Sequence, residues 1–237
     1  MTNYSVRISA RAKHLSLKIT PAEGLVVVVP RGFKNHHILD ELVASRSAWI
    51  EKTISRYDTV PQNLLDAPLP KKIELPALDE CWMIDYINTK SKAVRAVESD
   101  SFQLKVMGAV DDSDACAMAL RRWLMRRAKQ KLLPKLEKVS ENCCLTFSKA
   151  TIRGQRTRWG SCSSTGAINL NYQLLFVSPS MMHYVLVHEL CHTVYLNHSA
   201  SFYTLLESYI SDYQDIEFQL KQAWRSMPAW LYRLQIT

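Results

Sequence analysis

His188-Glu189-Leu190-Cys191-His192 places two imidazoles four residues apart with a carboxylate between them. On a helix, positions four apart share a face, so both rings can reach one metal ion. Glu189 sits one step round, beside the ion rather than on it. There it can act as general base toward a water whose pKa zinc lowers to ~7. An H-E-x-x-H string arises by accident in on the order of 1% of chains of this size. An accident would also leave a charged glutamate and two histidines in an apolar helix without partners, which is costly. The metal reading is preferred on that ground.

Catalytic zinc needs a third protein ligand and an open fourth position. His198, six residues after His192, is the candidate. An unbroken helix at ~3.6 residues per turn would carry it roughly 240° away from His192, so the helix must stop first. Asn197 tolerates the left-handed conformation of a helix end, and Ser199 can cap the next helix. The spacing H-E-x-x-H-x5-H is that of metzincins, with Tyr195 where their turn glycine stands. Glu207, on the following helix, is the fallback ligand. His183 falls about 140° from His188 on the helix and suits a surface or supporting role. Cys191 reads as a residue packed inward, and His14, His36 and His37 show no ligand pattern.

These groups need a scaffold. Ser178-Pro179 supplies an N-cap and a first-turn proline, and Met182, Val185, Leu186, Leu190 and Val194 form an apolar stripe, so a helix is expected over about 179–196. Further helices are expected near 199–210 and 215–225. Strands are expected near 145–153 and 167–176, with a turn at Ser163-Ser164-Thr165-Gly166 between them. Upstream, Asp111-Asp112-Ser113-Asp114 opens a basic amphipathic helix running to about Lys138, with Pro134 inside it. The first third alternates in the β manner: Val6, Ile8 and Ala10, then Leu15, Leu17 and Ile19, then the run Leu25–Val29 after a turn at 21–24. A helix follows over about 37–56. The stretch 60–76 holds four prolines and reads as a loop or linker and the best internal boundary candidate, and two or three short strands are expected near 81–87, 93–97 and 102–106. The class is α+β.

Composition sets bounds on the rest. The chain has 237 residues, 47% apolar and 22% charged, as ordinary globular proteins do. No apolar run approaches the ~18 residues of a membrane span, and the first residues lack signal-peptide character, so a cytoplasmic protein is expected. The six cysteines show no C-x-x-C spacing, and reduced thiols are expected. Cys143–Cys144 reads as a packed pair. The net charge of +8 permits a polyanionic partner without requiring one. Much of it lies on the basic helix, 115–133, whose Arg121, Arg122, Arg126 and Arg127 read first as a solvated face and second as a nucleic-acid dock.

Arg158-Trp159-Gly160-Ser161-Cys162-Ser163, Ile168-Asn169-Leu170-Asn171, the motif at 187–192, and Asn197-His198-Ser199 with Phe202 together resemble the YgjP-like metallopeptidase domain family, relatives of the SprT-like and WLM zinc peptidases. The amino-terminal strands from Arg11 to Pro30 and the Trp49-Ile50 helix are similar too. The resemblance implies a zincin-like metallopeptidase domain over 111–237, with a small sheet packed on the motif helix. A β-rich amino-terminal region with one helix, over 1–110, precedes it. It also implies His188, His192 and His198 as zinc ligands, Glu189 as the catalytic base, and a peptide or protein substrate paired along a sheet edge. The strands flanking Trp159–Ser163 are the candidates for that edge. Trp159 can equally be a core aromatic beneath the motif helix, and Ser161 and Ser163 suit turns better than nucleophiles.

The leading function is therefore zinc-dependent amide hydrolysis. Tyr195, Tyr172 and Arg158 are equal candidates for stabilising the oxyanion. The alternatives are a nucleic-acid-associated protein docking through the basic helix, and a metal hydrolase acting on a non-peptide amide.

Overall fold

The computed structural model describes residues 4–9, 12, 14–20, 24–33, 35, 37–51, 67–155 and 157–233. The chain divides into two compact units, residues 1–67 with 235–237, and residues 68–234. The division falls inside the proline-rich stretch 60–76, which the sequence marks as the best internal boundary candidate, whereas the zincin-like domain was expected from 111 onward. The reason is physical: the strands of 72–108 bury their apolar face with the basic helix in a single core.

The first unit holds β1 (Tyr4–Ser9), β2 (Ser16–Thr20), β3 (Gly24–Pro30) and α1 (His37–Ser45). The sheet order is β1-β3-β2, with β1 parallel and β2 antiparallel to the central strand; Val27 faces Val6 and Leu17. Leu25, Val27 and Val29 pack with Ile19, Leu39, Val43 and Ile50. Both faces of β3 are buried, which explains its unbroken apolar run. Val6 and Ile8 share a face as their alternation predicts, but that face is exposed. Ala10, the turn at 21–23, the expected helix beyond 51 and the linker from 60 to 66 lie outside the described residues.

In the second unit, β4 (Lys72–Leu75), β5 (Glu80–Asn88), β6 (Arg95–Ser99) and β7 (Gln103–Gly108) form a sheet of order β4-β5-β7-β6. β4 lies where sequence reading expected only linker; four residues between prolines are too few for a visible period. Ile73, Leu75, Trp82, Ile84, Ala96, Leu104 and Val106 alternate onto the buried face. Against it lies α2 (Ser113–Cys143), which buries Leu120, Trp123, Leu124, Ala128, Leu132 and Leu136. Asp112 caps α2 by accepting hydrogen bonds from the amides of Asp114 and Ala115 at 3.1 and 2.9 Å. The helix continues through Pro134 to end five residues beyond Lys138, with Cys144 left-handed after it.

Three of the four arginines of α2 are bonded within the fold. Arg122 and Arg126 donate to the carbonyls of Val94 and Ala96 at 2.8 and 3.0 Å. Arg127 donates through Nε to Glu80 at 2.9 Å, pairs with it a second time, and lies over the Trp82 ring. Arg121 lies beside Tyr172, whose ionised form its charge favours. The helix is thus a clamp on the neighbouring sheet, and the nucleic-acid reading gains no support from it.

The remaining elements are β8 (Lys149–Arg153), β9 (Gly160–Cys162), β10 (Ala167–Asn171), α3 (Pro179–Cys191), α4 (Ala200–Tyr209), α5 (Tyr213–Ala223) and α6 (Ala229–Arg233). The sheet order is β8-β10-β9, with β10 parallel to β8 and antiparallel to β9. Of the two strands proposed as a substrate edge, β10 is therefore central, because β9 and β8 pair with it on either side. The β9–β10 hairpin turns at Ser163–Gly166, where Gly166 adopts φ +72° and its amide donates to Ser163 at 2.9 Å. Residues 172–176, expected as strand, form a 3-10 turn capped by Asn171. The architecture is α+β.

Candidate metal centre

Local capping sets where α3 begins. Ser178 Oγ accepts from the Met181 amide, and Pro179 fills the first turn. Met182, Val185, Leu186 and Leu190 are buried as expected, while Val194 is 52% exposed because the helix has already ended. It stops at Cys191, five residues before the expected end. The amides of Thr193 and Val194 reach back three residues, and that of Tyr195 four, to the carbonyls of Leu190 and Cys191. This tight turn reverses the chain without a left-handed residue; Asn197 keeps a negative φ. Ser199 does cap α4, accepting from the Phe202 amide at 3.4 Å.

The reversal brings three imidazoles together. Nε2 of His198 lies 3.1 Å from Nε2 of His192 and 3.2 Å from Nε2 of His188. A tetrahedral ion with bonds of about 2.0–2.1 Å to nitrogen has its ligand atoms about 3.3 Å apart, so this spacing fits zinc. The protons fit as well. His192 Nδ1 is 2.9 Å from the Tyr195 carbonyl oxygen, which can only accept, so Nδ1 carries the hydrogen and Nε2 keeps its lone pair. His188 Nδ1 lies 3.3 Å from the Tyr184 hydroxyl, an oxygen able to accept the ring hydrogen when Nε2 ligates a metal. One hydrogen on His198 could serve only one of its two neighbours. Burial, then the neighbouring His192 and His198, push the His188 pKa down to about 3. Three converging imidazole nitrogens, two of them on rings whose burial disfavours protonation, are what a cation satisfies.

Phe202 forms the floor. It is fully buried, with its ring centroid 5.0, 4.5 and 4.9 Å from those of His188, His192 and His198. The quoted sequence signature includes Phe202, but its task comes from the first turn of α4 lying under the cluster. Tyr184 is not singled out by the sequence analysis, although its place four residues before His188 is a usable signal.

Glu189 is 5% exposed, and its Oε2 has no hydrogen-bond partner among the described residues. Burial raises its pKa to about 8, opposed by the positive charge of Arg158. The side chain lies against β9 at Gly160, where a methyl group would sit 2.7 Å from its Cγ. Asn171 holds the approach to that strand. It is fully buried, and its Nδ2 donates to the carbonyls of Gln155 and Arg158 at 2.8 and 2.9 Å, while its own amide donates to Trp159. Gly160 and Asn171 belong to the quoted sequence signature, but only the fold gives them tasks.

The other candidates separate. Glu207 is exposed and is not part of the histidine cluster. Tyr172 is a core residue beside Arg121, and Tyr195 engages the site through its backbone oxygen. Arg158 is exposed but acts electrostatically on Glu189. His183 is on the surface, and Cys191 is wholly buried. Trp159 is 8% exposed and stacks on Trp224, with centroids 3.9 Å apart.

No curated protein matches the chain. Among solved structures it is similar to the metallopeptidase zymogen jannalysin of Methanocaldococcus jannaschii, at 22% identity over 37% of this chain and 91% of that one, with a TM-score of 0.34. The family model described as YgjP-like, metallopeptidase domain, matches residues 13–223 and so covers the motif, its turn and the sheet beside it. The chain belongs to the YgjP-like metallopeptidase domain family.

Proposed function

We propose that this chain is a zinc-dependent metallopeptidase in which His188, His192 and His198 hold the ion and Glu189 is the general base. The observation that carries the reading is the convergence of three Nε2 atoms, two contacts at 3.1 and 3.2 Å, with the opposite nitrogen of His192 fixed by a backbone oxygen. The small sheet β8–β10 beside α3 supports a zincin-like arrangement. The six free thiols support a reducing, cytoplasmic setting. No described helix is long and apolar enough to cross a membrane.

Bound zinc would supply Lewis acidity, polarising a carbonyl and acidifying water. The chain supplies position and proton transfer. Phe202 and the second nitrogens of His188 and His192 orient the imidazoles. Glu189 Oε2, unpartnered and screened from solvent, accepts the proton of the attacking water and returns it to the leaving amine. Burial of that carboxylate brings its proton affinity close to neutral pH, where a base that must also act as an acid is most effective. Gly160 leaves the space in which the side chain lies.

Metal analysis of the purified protein and three variants tests this. Native protein and Glu207→Ala should each carry one zinc, and His198→Ala should lose it. Glu189→Gln should keep zinc and lose hydrolysis of a mixed peptide library by about 10²-fold or more. Zinc retained in His198→Ala, or unchanged hydrolysis in Glu189→Gln, overturns the assignment.

A further inference from the structure

A cavity of about 350 Å³ lies beside the candidate centre, with His188 and Glu189 on one side and Trp224 and Leu220 of the α5 region on the other. A larger cavity, of about 560 Å³, is lined by residues such as Phe176, Met181 and Phe218 and contains none of the site residues. Position next to the chemistry favours the smaller one, whose volume lies at the low end for ligand sites.

Its walls specify an occupant. Trp159 and Trp224 stack with an interplanar angle of 21°, and Val185 and Leu220 add aliphatic surface. The backbone of Trp159 is held by the Asn171 amide at 2.8 Å, so that wall is set before anything binds. The charged residues at the rim cancel: Lys221 Nζ is 3.1 Å from Glu217 Oε1. An entering anion would lose water and face the unpaired Glu189 carboxylate, and a cation drawn to that carboxylate would engage the proposed base rather than the aromatic wall, whereas an apolar group would exchange water for aromatic surface.

We infer that this cavity is the subsite for one side chain of a peptide substrate next to the bond cut, and that it takes a large uncharged side chain, aromatic or long aliphatic. Leu220 and Trp224 are the specificity-determining residues. The inference rests on the metallopeptidase reading for its substrate, but occupancy of the cavity can be measured without hydrolysis.

The test titrates N-acetyl amides of Phe, Leu, Ala, Glu and Lys into the zinc-loaded full chain and follows the indole N–H resonances of Trp159 and Trp224. The Phe and Leu compounds should shift both signals at concentrations at least about tenfold lower than the other three, the effect of burying one large apolar side chain. Leu220→Trp, which fills the cavity, should abolish the response with zinc content unchanged. If that variant does not fold, Trp224→Ala should weaken the Phe response at Trp159 by about tenfold. An equal response to Ala, a preference for Glu or Lys, no response at either indole, or an undiminished Phe response in a folded variant each overturns the subsite. Absence of zinc or of any peptide cleavage would count against the metallopeptidase reading instead, and the binding measurement would still decide the cavity's occupant.

Discussion

The Glu189 carboxylate lies against the backbone of Gly160 so closely that a methyl group there would meet Oε1 at 2.5 Å and Cδ at 2.8 Å. The strand beside the motif helix thereby fixes where the proposed base can stand. Gly160→Ala should displace Glu189 while leaving the three histidines on their own elements. We expect hydrolysis to fall by about 10²-fold, as small misplacements of a reacting group do, with zinc stoichiometry unchanged. Steady-state kinetics beside metal analysis checks this; full activity would show that the contact does not position the base.

Tyr184 tests the outer support of the centre. Its hydroxyl is 3.3 Å from His188 Nδ1, so Tyr184→Phe removes the group able to accept the ring hydrogen when Nε2 ligates a metal. Loss of such a partner typically weakens metal affinity by about 10–100-fold. Competition with a chelator of known zinc affinity measures it, and an unchanged affinity would make the tyrosine a packing residue only.

Arg127 tests the structural reading of the basic helix. Its side chain is 12% exposed and that of Glu80 7%. Arg127→Ala strips a buried carboxylate of its main partner and should cost about 3–5 kcal/mol in urea unfolding. A loss under 1 kcal/mol, together with weakened DNA binding at low salt, would return this helix to the role of a docking face.

Stability at alkaline pH reports on Tyr86. Its hydroxyl donates to the Pro70 carbonyl at 2.9 Å, and burial, then the nearby Cys116, raises its pKa above the ordinary 10. The unfolded chain gives up this proton at lower pH than the folded one. The contribution is therefore whole below pH 10 and is lost as pH rises beyond it. Tyr86→Phe should flatten that decline while costing about 1 kcal/mol at pH 7. An identical alkaline profile in the variant would assign the decline to other groups.

The chemistry-bearing string at 188–192 was legible because a helix converts spacing into a shared face, and Ser178-Pro179 and Asp112 marked helix starts through local bonds alone. Val6 and Ile8 show the limit of such patterns: alternation placed them on one face but could not say that the face is exposed. The linker stretch was visible from its prolines, yet β4 within it was not, since a four-residue strand acquires meaning only from the partner it pairs with.

By itself the sequence determined the local elements: which residues could ligate, where helices begin, and that the helix must end before His198. Tertiary structure decided what depends on distance between segments far apart in the chain. The tight turn after Cys191 brings His198 Nε2 to its neighbours, Phe202 arrives under all three rings, and β9 offers Gly160 to Glu189. None of these contacts has a period or a neighbouring partner to betray it. They follow from how sheet and helices share one buried core.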